Sequence, residues 1–471
     1  MDLVAAARQE MIERGFEPDF PAEALAQLRQ ITADPEPGLR DLTSLPWSSI
    51  DNDDSRDLDQ IEWAERTPDG IRVCVGVADV DATVGRGTPI DGYAAHETTS
   101  VYTGVQTFPM LPERLSTDLT SLAEGQDRAA VVVEFVVAAD GTISQNSVYR
   151  ALVRNHARLT YNAVGPWLDG QGAAPTPKPE LQAQLKLQDD AAHALRAARD
   201  RLGALTFDRQ ELQAVTDNHH VKGVATRRTN RAGHLIEDFM IAANEVMART
   251  LRAVGVSSIR RVVRAPERWA RIVELAARYG DRLPSQPDGS ALNQFLLRRK
   301  QADPLHYPDI SLAVLKLMGP GEYVLSPAAG DAPGHFGLAA HDYTHSTAPN
   351  RRFADLVTQR LLKGIGSAAP YTDAELDQIA RNCTIKEDAA RKVQRDMIKR
   401  IAALALAPRV GQTFAAVVTG VAPKGVFVRI TDPPVEGRLV RGEQGLDVGD
   451  LLHVKLLSTD ADRGFIDFGR V

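Results

Sequence analysis

The sequence predicts an α+β protein, a mixed sheet with surrounding helices, that begins with a small α-helical module and ends in an all-β barrel. Three patterns carry this prediction. Residues from Trp47 to about Leu168 read as strands, with Ile71, Val73, Val75 and Val77 alternating. Apolar residues then recur three and four apart through helical segments, as in Leu235, Phe239, Met240, Ala243, Val246 and Met247. Beyond Pro408 the register changes to short strands separated by Gly and Asp. At 471 residues the chain exceeds what one core supports, so two to four domains are expected.

Taken in order, residues 1–45 place Leu3, Met11, Ile12, Leu25, Leu28 and Ile31 at helical spacing, with Pro21 at a helix start. This module is either helix-turn-helix-like or a packing appendage. Ala130 to Val137 reads as a buried strand, and Asp140-Gly141 as a hairpin turn into Ile143 to Tyr149. Asp169 to Glu180, rich in Gly and Pro, is an exposed linker, followed by a helix over residues 180–203 that Gly203 closes. Helices are expected near Gly233 to Val254, Pro266 to Tyr279, Ser290 to Arg299 and Ile310 to Met318. A capping box, Thr372 to Glu375, starts a long basic helix that runs to about Leu406. The divisions are 1–45 for the helical module, 46–407 for the mixed α+β domain and 408–471 for the barrel.

Bulk properties restrict the function classes. No run of about eighteen apolar residues occurs, and the N-terminus lacks a basic segment followed by an apolar stretch, so a cytoplasmic protein with no membrane contact is expected, acting as a monomer. Cys74 and Cys383, the only two cysteines, form no disulfide framework and read as buried apolar thiols. The net charge of −7 argues against coating nucleic acid over the whole surface, while arginines gathered between Arg196 and Arg264 and from Arg351 to Arg400 leave room for a basic channel.

The densest chemistry lies from Ile50 to Glu62, where six carboxylates crowd thirteen residues. Such crowding needs multivalent cations, and oxygen-only ligands suit a hard ion such as Mg²⁺, Mn²⁺ or Ca²⁺. Three readings compete. An EF-hand loop would use Asp51, Asp53, Ser55, Asp57, Asp59 and Glu62, but its sixth position, which wants Gly, is Arg56, and flanking helices are missing. A solvated acidic loop is the second, although Ile50, Leu58 and Ile61 anchor the stretch to a core. The third is a carboxylate cluster that holds Mg²⁺ against a phosphate.

Ile50-Asp51 followed by Asp57-Leu58-Asp59 resembles the signature of the ribonuclease II and R (RNB) family of 3′-to-5′ exoribonucleases, Ile-Asp, a spacer, then Asp-x-Asp-Asp. Where that family has its fourth Asp, this chain has Gln60, a neutral amide that can ligate through its carbonyl but brings no charge. Further matches follow in the same order: Ser100-Val101-Tyr102, Pro109-Met110-Leu111-Pro112-Glu113, His156 to Tyr161, Ala204 to Phe207, Leu235-Ile236-Glu237 and Ala348-Pro349-Asn350-Arg351-Arg352-Phe353-Ala354-Asp355. Relatives carry Ser-Pro-Ile-Arg at the start of the last run and usually place two cold-shock barrels ahead of the catalytic domain, for which there is no room here. The strands from Val410 to Phe468 look like an S1 domain, a five-stranded OB-type barrel.

The resemblance implies processive, Mg²⁺-assisted hydrolysis of single-stranded RNA to nucleoside 5′-monophosphates, with Mn²⁺ as the alternative ion. Asp51, Asp57 and Asp59, with Gln60 as a neutral ligand, would hold the metal, and Asp57, Asp59 and Arg351 would carry the chemistry. Tyr102 and Phe207 would clamp the last bases, Tyr161 and Glu237 would hold the ribose, and Arg352 would grip a neighbouring phosphate. A helix opened by Pro349 would turn its N–H groups to phosphate; the competing reading pairs either arginine with Asp355. Phe414 and Phe427 would face RNA from the barrel, or else fill it. The rival functions are a catalytically weakened RNA-binding protein of the same fold and a calcium-binding scaffold.

Overall fold

The computed structural model describes residues 2–32, 37–207, 211–217, 220–304 and 306–471. Two helices open the chain, α1 (Leu3–Glu13), capped by Asp2, and α2 (Ala22–Leu28), which follows Pro21. A six-stranded sheet then forms from β1 (Arg40–Asp41), β2 (Trp47–Asp51), β3 (Gln60–Thr67) and β4 (Gly70–Ala78). Its last two strands come after α3 (Pro89–Glu97) and a small hairpin of β5 (Val101–Tyr102) and β6 (Thr107–Phe108), as β7 (Asp127–Val137) and β8 (Ile143–Thr160).

The strand order is β1-β8-β2-β3-β4-β7, and β7 also pairs with β8, so the sheet curls back on itself. The length of β8 makes this closure geometrically simple. Its first part runs antiparallel to β7, and its last residues run parallel to β2, in register Asp51↔Thr160. The apolar alternation of β3, β4 and β7 fills the main core with Ile61, Val73, Val75, Val77, Val131, Val133 and Phe135, over which helices pack.

After β8 come α4 (Tyr161–Leu168) and α5 (Pro179–Leu202), the latter closed by Gly203 at φ 89°, a left-handed position that Gly occupies without strain. A hairpin of β9 (Glu211–Asp217) and β10 (His220–Arg227) precedes α6 (Arg231–Ala253). Then β11 (Ser258–Val262) pairs with β12 (Glu322–Ser326) across a helical excursion of α7 (Trp269–Arg278), α8 (Gly289–Ala302) and α9 (Tyr307–Met318). The chain continues through α10 (Phe353–Lys363) into α11 (Asp373–Leu406), whose capping box has both reciprocal bonds between Thr372 and Glu375.

Five strands, β13 (Thr413–Ala422), β14 (Gly425–Ile430), β15 (Glu436–Arg441), β16 (Leu451–Asp460) and β17 (Phe465–Arg470), close into a barrel. It is tied to the helical excursion by ion pairs Arg429–Asp309 and Lys316–Glu436, the latter 3.3 Å long. No described helix is long and apolar enough to cross a membrane.

One detail of the sheet positions the acidic residues. Strand β2 covers β3 only at Ser48↔Glu62, which would leave the backbone of Ala64 unpaired. Gln184 of α5 takes both groups, its Oε1 accepting from Ala64 N at 2.8 Å and its Nε2 donating to Ala64 O at 2.7 Å.

Candidate active site

The acidic stretch leaves β2 at Asp51, loops outward and returns as β3 at Gln60. Asp51 Oδ1 accepts from Asn52 N at 2.7 Å and Ser55 Oγ at 2.9 Å, which turns the loop. Leu58 is buried and is stitched to the segment after α3 and the small hairpin: its N donates to Ser121 Oγ and its O accepts from Leu122 N. Strands, not helices, flank the loop, and that removes the EF-hand alternative.

Buried Asp59, 2% exposed, is where two distant stretches meet. Its Oδ1 accepts from Asn350 N at 3.1 Å and its Oδ2 from Arg351 Nε at 3.3 Å. The Arg351 side chain is still 44% exposed, so the rest of the fork reaches the surface beside the acids. A third stretch joins through the backbone. Ser100 N donates to Arg351 O at 3.0 Å and Phe353 N to Thr98 O at 2.8 Å, which brings the hairpin bearing Tyr102 alongside. Tyr102 is 43% exposed on a hairpin whose other apolar residues, Val101, Val105 and Phe108, are buried. An aromatic face held outward in this way is available for stacking.

Electrostatics at the cluster oppose full ionisation. Burial, with added repulsion from Asp57, pushes Asp59 up to about 7 against the pull of Arg351. Burial likewise raises Asp57, with the Asp51 charge adding to the effect. Glu62 lies behind them, fully buried, without a hydrogen-bond partner on either oxygen among the described residues, and burial and Asp51 hold its carboxyl well above the usual range. Oxygen donors that repel one another and resist ionisation suit a hard divalent cation, so Asp51, Asp57 and Asp59 fit such an ion in kind. Among the described residues, no three acidic, histidine or cysteine side chains encircle a single point as an ion cage does. Gln60 is buried at the start of β3, paired with Val77.

The other residues singled out in the sequence lie on four separate parts of the fold. Tyr161 opens α4 directly after Thr160, the residue paired with Asp51, and so lies beside the acidic loop. Asn230 Nδ2 donates to Tyr161 O at 2.7 Å, which links it to the start of α6. Glu237 stands exposed on α6, 3.3 Å from His234 Nδ1. Burial opposes its ionisation, but His234, Arg196 and Arg199 outweigh that and hold its carboxyl below the ordinary range. Phe207 is half-buried against the cluster of Trp269, Phe295 and Tyr307. Phe427 alternates with buried Val426 and Val428, so its ring lies on the outer face of the barrel.

Three expectations are corrected. Arg352 forms a bidentate pair with fully buried Asp355, at 2.8 and 2.6 Å, so two of its three nitrogens are held inside the protein. The N–H groups around the start of α10 are also taken: Asn350 N by Asp59, Phe353 N by Thr98 O and Ala348 N by Asp355 Oδ1. That helix end is therefore no open anion site. Phe414 is buried with Val418, Val428 and Phe468 and fills the barrel.

Sequence reasoning passed over Asn350. It is buried, its N holds Asp59 and its Oδ1 accepts from Thr120 Oγ1 at 2.6 Å. The signal was present, because Asn350 stands where the resembling family has Ile.

Sheet, acidic loop, arginine turn and barrel together define a nuclease-type fold, and the comparisons name the class. The family model for the RNB domain matches residues 39–367, and the model for the RNase II-type exonuclease C-terminal S1 domain matches residues 412–471, so the chain belongs to the RNB family. Among particular relatives, it is similar to ribonuclease R of Thermotoga maritima, 28% identical over 96% of this chain and 68% of that protein. It is 29% identical to ribonuclease R of Mycoplasma pneumoniae over 85% of this chain and 57% of that protein, and 28% identical to ribonuclease R of Escherichia coli over 97% and 59%. The chain thus spans between 57% and 68% of the length of these curated relatives. Mycoplasma genitalium RNase R, solved in complex with ribose-methylated single-stranded RNA, superposes with a TM-score of 0.90 at 24% identity, covering 100% of this chain and 78% of that one. Yeast Ssd1, described as a pseudonuclease, superposes with a TM-score of 0.70 at 20% identity over 87% and 51%.

Proposed function

We propose that the chain is a 3′-to-5′ exoribonuclease that hydrolyses single-stranded RNA processively to nucleoside 5′-monophosphates. The observation that carries this reading is the meeting of buried Asp59 with Arg351, which joins an acidic loop to a fixed, half-exposed cation. A phosphodiester is already anionic, so hydrolysis needs a neutralised target and an activated water. Asp51, Asp57 and Asp59, with the Gln60 carbonyl, would hold Mg²⁺ or Mn²⁺; when bound, such an ion polarises water and stabilises charge on the phosphate. Arg351, its Nε held by Asp59, presents its outer nitrogens to the scissile phosphate. Tyr102 and Phe207 stack on the terminal bases whatever their identity. Tyr161 and Glu237 hold the ribose, where the 2′-hydroxyl separates RNA from DNA.

In this reading the divisions at residues 46 and 408 hold, the chain works as a monomer in the cytoplasm, and Phe427 of the barrel guides RNA inward. The test is a timed digestion of RNA with a 3′ overhang, resolved by length, with Mg²⁺, Mn²⁺ or EDTA. Mononucleotide release from the first turnover, abolished by EDTA, is expected. Tight RNA binding with no release at millimolar Mg²⁺ would refute hydrolysis and support the second reading, an RNA-binding protein of the same fold. That reading is favoured by one observation, the neutral Gln60 in a family position for Asp.

A further inference from the structure

The N-terminal helix ends in the same apolar cluster as the hairpin that carries Tyr102. Leu3, Ala7 and Met11 of α1, with Phe16 just beyond it, belong to one buried cluster with Val101, Val105 and Phe108 of the hairpin, and Val393, Met397 and Ile401 of α11 join the two. The hairpin is short. Its strands pair only at Val101↔Phe108 and Tyr102↔Thr107, and its turn is closed by Thr103 N donating to Gln106 O at 3.1 Å. Two-residue strands do not hold their own conformation in water. Their geometry comes from what they lean on.

Two supports are visible. At one end, Ser100 N is bonded to Arg351 O, which ties the hairpin to the active site. At the other, the turn rests on neighbours so closely that a Cβ on Gly104 would lie 3.1 Å from Ile401 Cδ1 and 3.4 Å from Ala214 Cβ. Between these ends the apolar back of the hairpin lies on α11, in the same cluster that α1 enters from its own side of α11. The helix is itself latched to α11: Arg14 pairs with Asp396 at 3.0 Å, Arg400 with Glu10 at 3.4 Å, and Lys386 Nζ donates to Gly15 O at 2.5 Å. Tyr102, on the opposite side of the two-residue strand from buried Val101, is thereby turned out toward the acids and Arg351.

We propose that α1 is a positioning element for Tyr102: the apolar cluster that it completes with α11 and the hairpin sets how far the ring reaches over the RNA end. This rests on Tyr102 stacking on RNA as proposed above. A helix that never touches RNA would then govern how short a fragment the protein can still grip.

The experiment uses the full chain with Met11→Ala, Val105→Ala, Met11→Leu, Tyr102→Ala and Leu185→Ala, the last a truncation in α5 within the separate main core. The readouts are quenching of 2-aminopurine at the RNA 3′ end, KM and kcat on single-stranded RNA, and the length of the final fragment. Met11→Ala and Val105→Ala should weaken quenching, raise KM about three- to tenfold and lengthen the final fragment, with kcat held within about twofold. Met11→Leu should restore wild-type values, and Leu185→Ala should leave quenching and fragment length unchanged. Because Val105→Ala removes only two methyl groups, it keeps the test valid if Met11→Ala fails to fold. Unchanged quenching in Val105→Ala, where Tyr102→Ala abolishes it, overturns the proposal. An equal change in Leu185→Ala also overturns it. If wild type quenches the probe but releases no nucleotide, hydrolysis is refuted while the quenching series still decides the role of α1.

Discussion

Replacing Asp59 by Asn tests the electrostatic logic of the site in two independent ways. The wild-type carboxyl is buried and titrates at about 7 rather than at its ordinary 3.8. Its folded form therefore binds a proton more tightly than the unfolded chain does. The stability this gives is fully present below about 3.8 and is lost as pH rises through about 7. Above that, the buried charge costs on the order of 4 kcal/mol, from about 1.4 kcal/mol for each pH unit between the two values. Asn removes the charge, but its amide accepts from only one of the two donors, Asn350 N and Arg351 Nε, and leaving the other unmet returns about 1 kcal/mol. Metal-free Asp59→Asn protein should thus be about 3 kcal/mol more stable than wild type at pH 8 and indistinguishable near pH 4. Thermal melts in EDTA from pH 4 to 8.5 read this directly. Added Mg²⁺ should stabilise wild type increasingly as pH rises, because the ion binds the ionised acid, and should do little for the variant. Hydrolysis should fall at least about a hundredfold, while RNA affinity survives. Parallel melting curves for the two proteins across pH, or loss of RNA binding together with hydrolysis, would refute the reasoning.

Three further predictions distinguish structural from functional residues. Arg352→Ala strands the buried Asp355 carboxylate and should cost about 3–5 kcal/mol in stability, with RNA affinity of the folded fraction little changed; a stable variant with weak RNA binding would contradict the internal pairing. Phe414→Ala should lower the barrel's melting transition by about 3–5 kcal/mol, whereas Phe427→Ala should leave it in place and weaken RNA binding about fivefold or more, both checked by calorimetry and fluorescence anisotropy. Tyr102→Ala should change the length of the final resistant fragment more than the rate on long RNA; an unchanged end product on a sequencing gel would count against the clamp.

How far the sequence could be read depended on whether the deciding contact was local. The strand Ile71 to Val77, the turn at Asp140-Gly141, the closure of a helix at Gly203 and the Thr372 capping box each rest on neighbours within a few residues, and each appears where expected. The pairing of β11 with β12, by contrast, joins Val262 to Glu322 across three helices, and no local pattern announces it. The hairpin of β9 and β10 was missed for a related reason, since its mixed residues alternate too weakly to mark a strand. At the site, acidic crowding and the Arg-Arg run were legible as chemistry, and Asp59 does meet Arg351. Which arginine remains outward was not. Arg351 and Arg352 are adjacent and identical, and Asp355 three residues on could pair with either; only the tertiary position of Asp59, which draws Arg351 away, leaves Asp355 to Arg352. The same holds for Phe414 and Phe427, whose inward and outward directions follow from barrel closure.

The carboxamide of Gln184 has an effect beyond satisfying one peptide. By presenting an acceptor and a donor to Ala64, it imitates the next strand of the sheet at a place where β2 has already ended. Sliding β3 by a single residue would lose both bonds at once and would swap the sides on which Asp59 and Gln60 emerge. A glutamine on a remote helix thus works as a detent for the whole acidic loop.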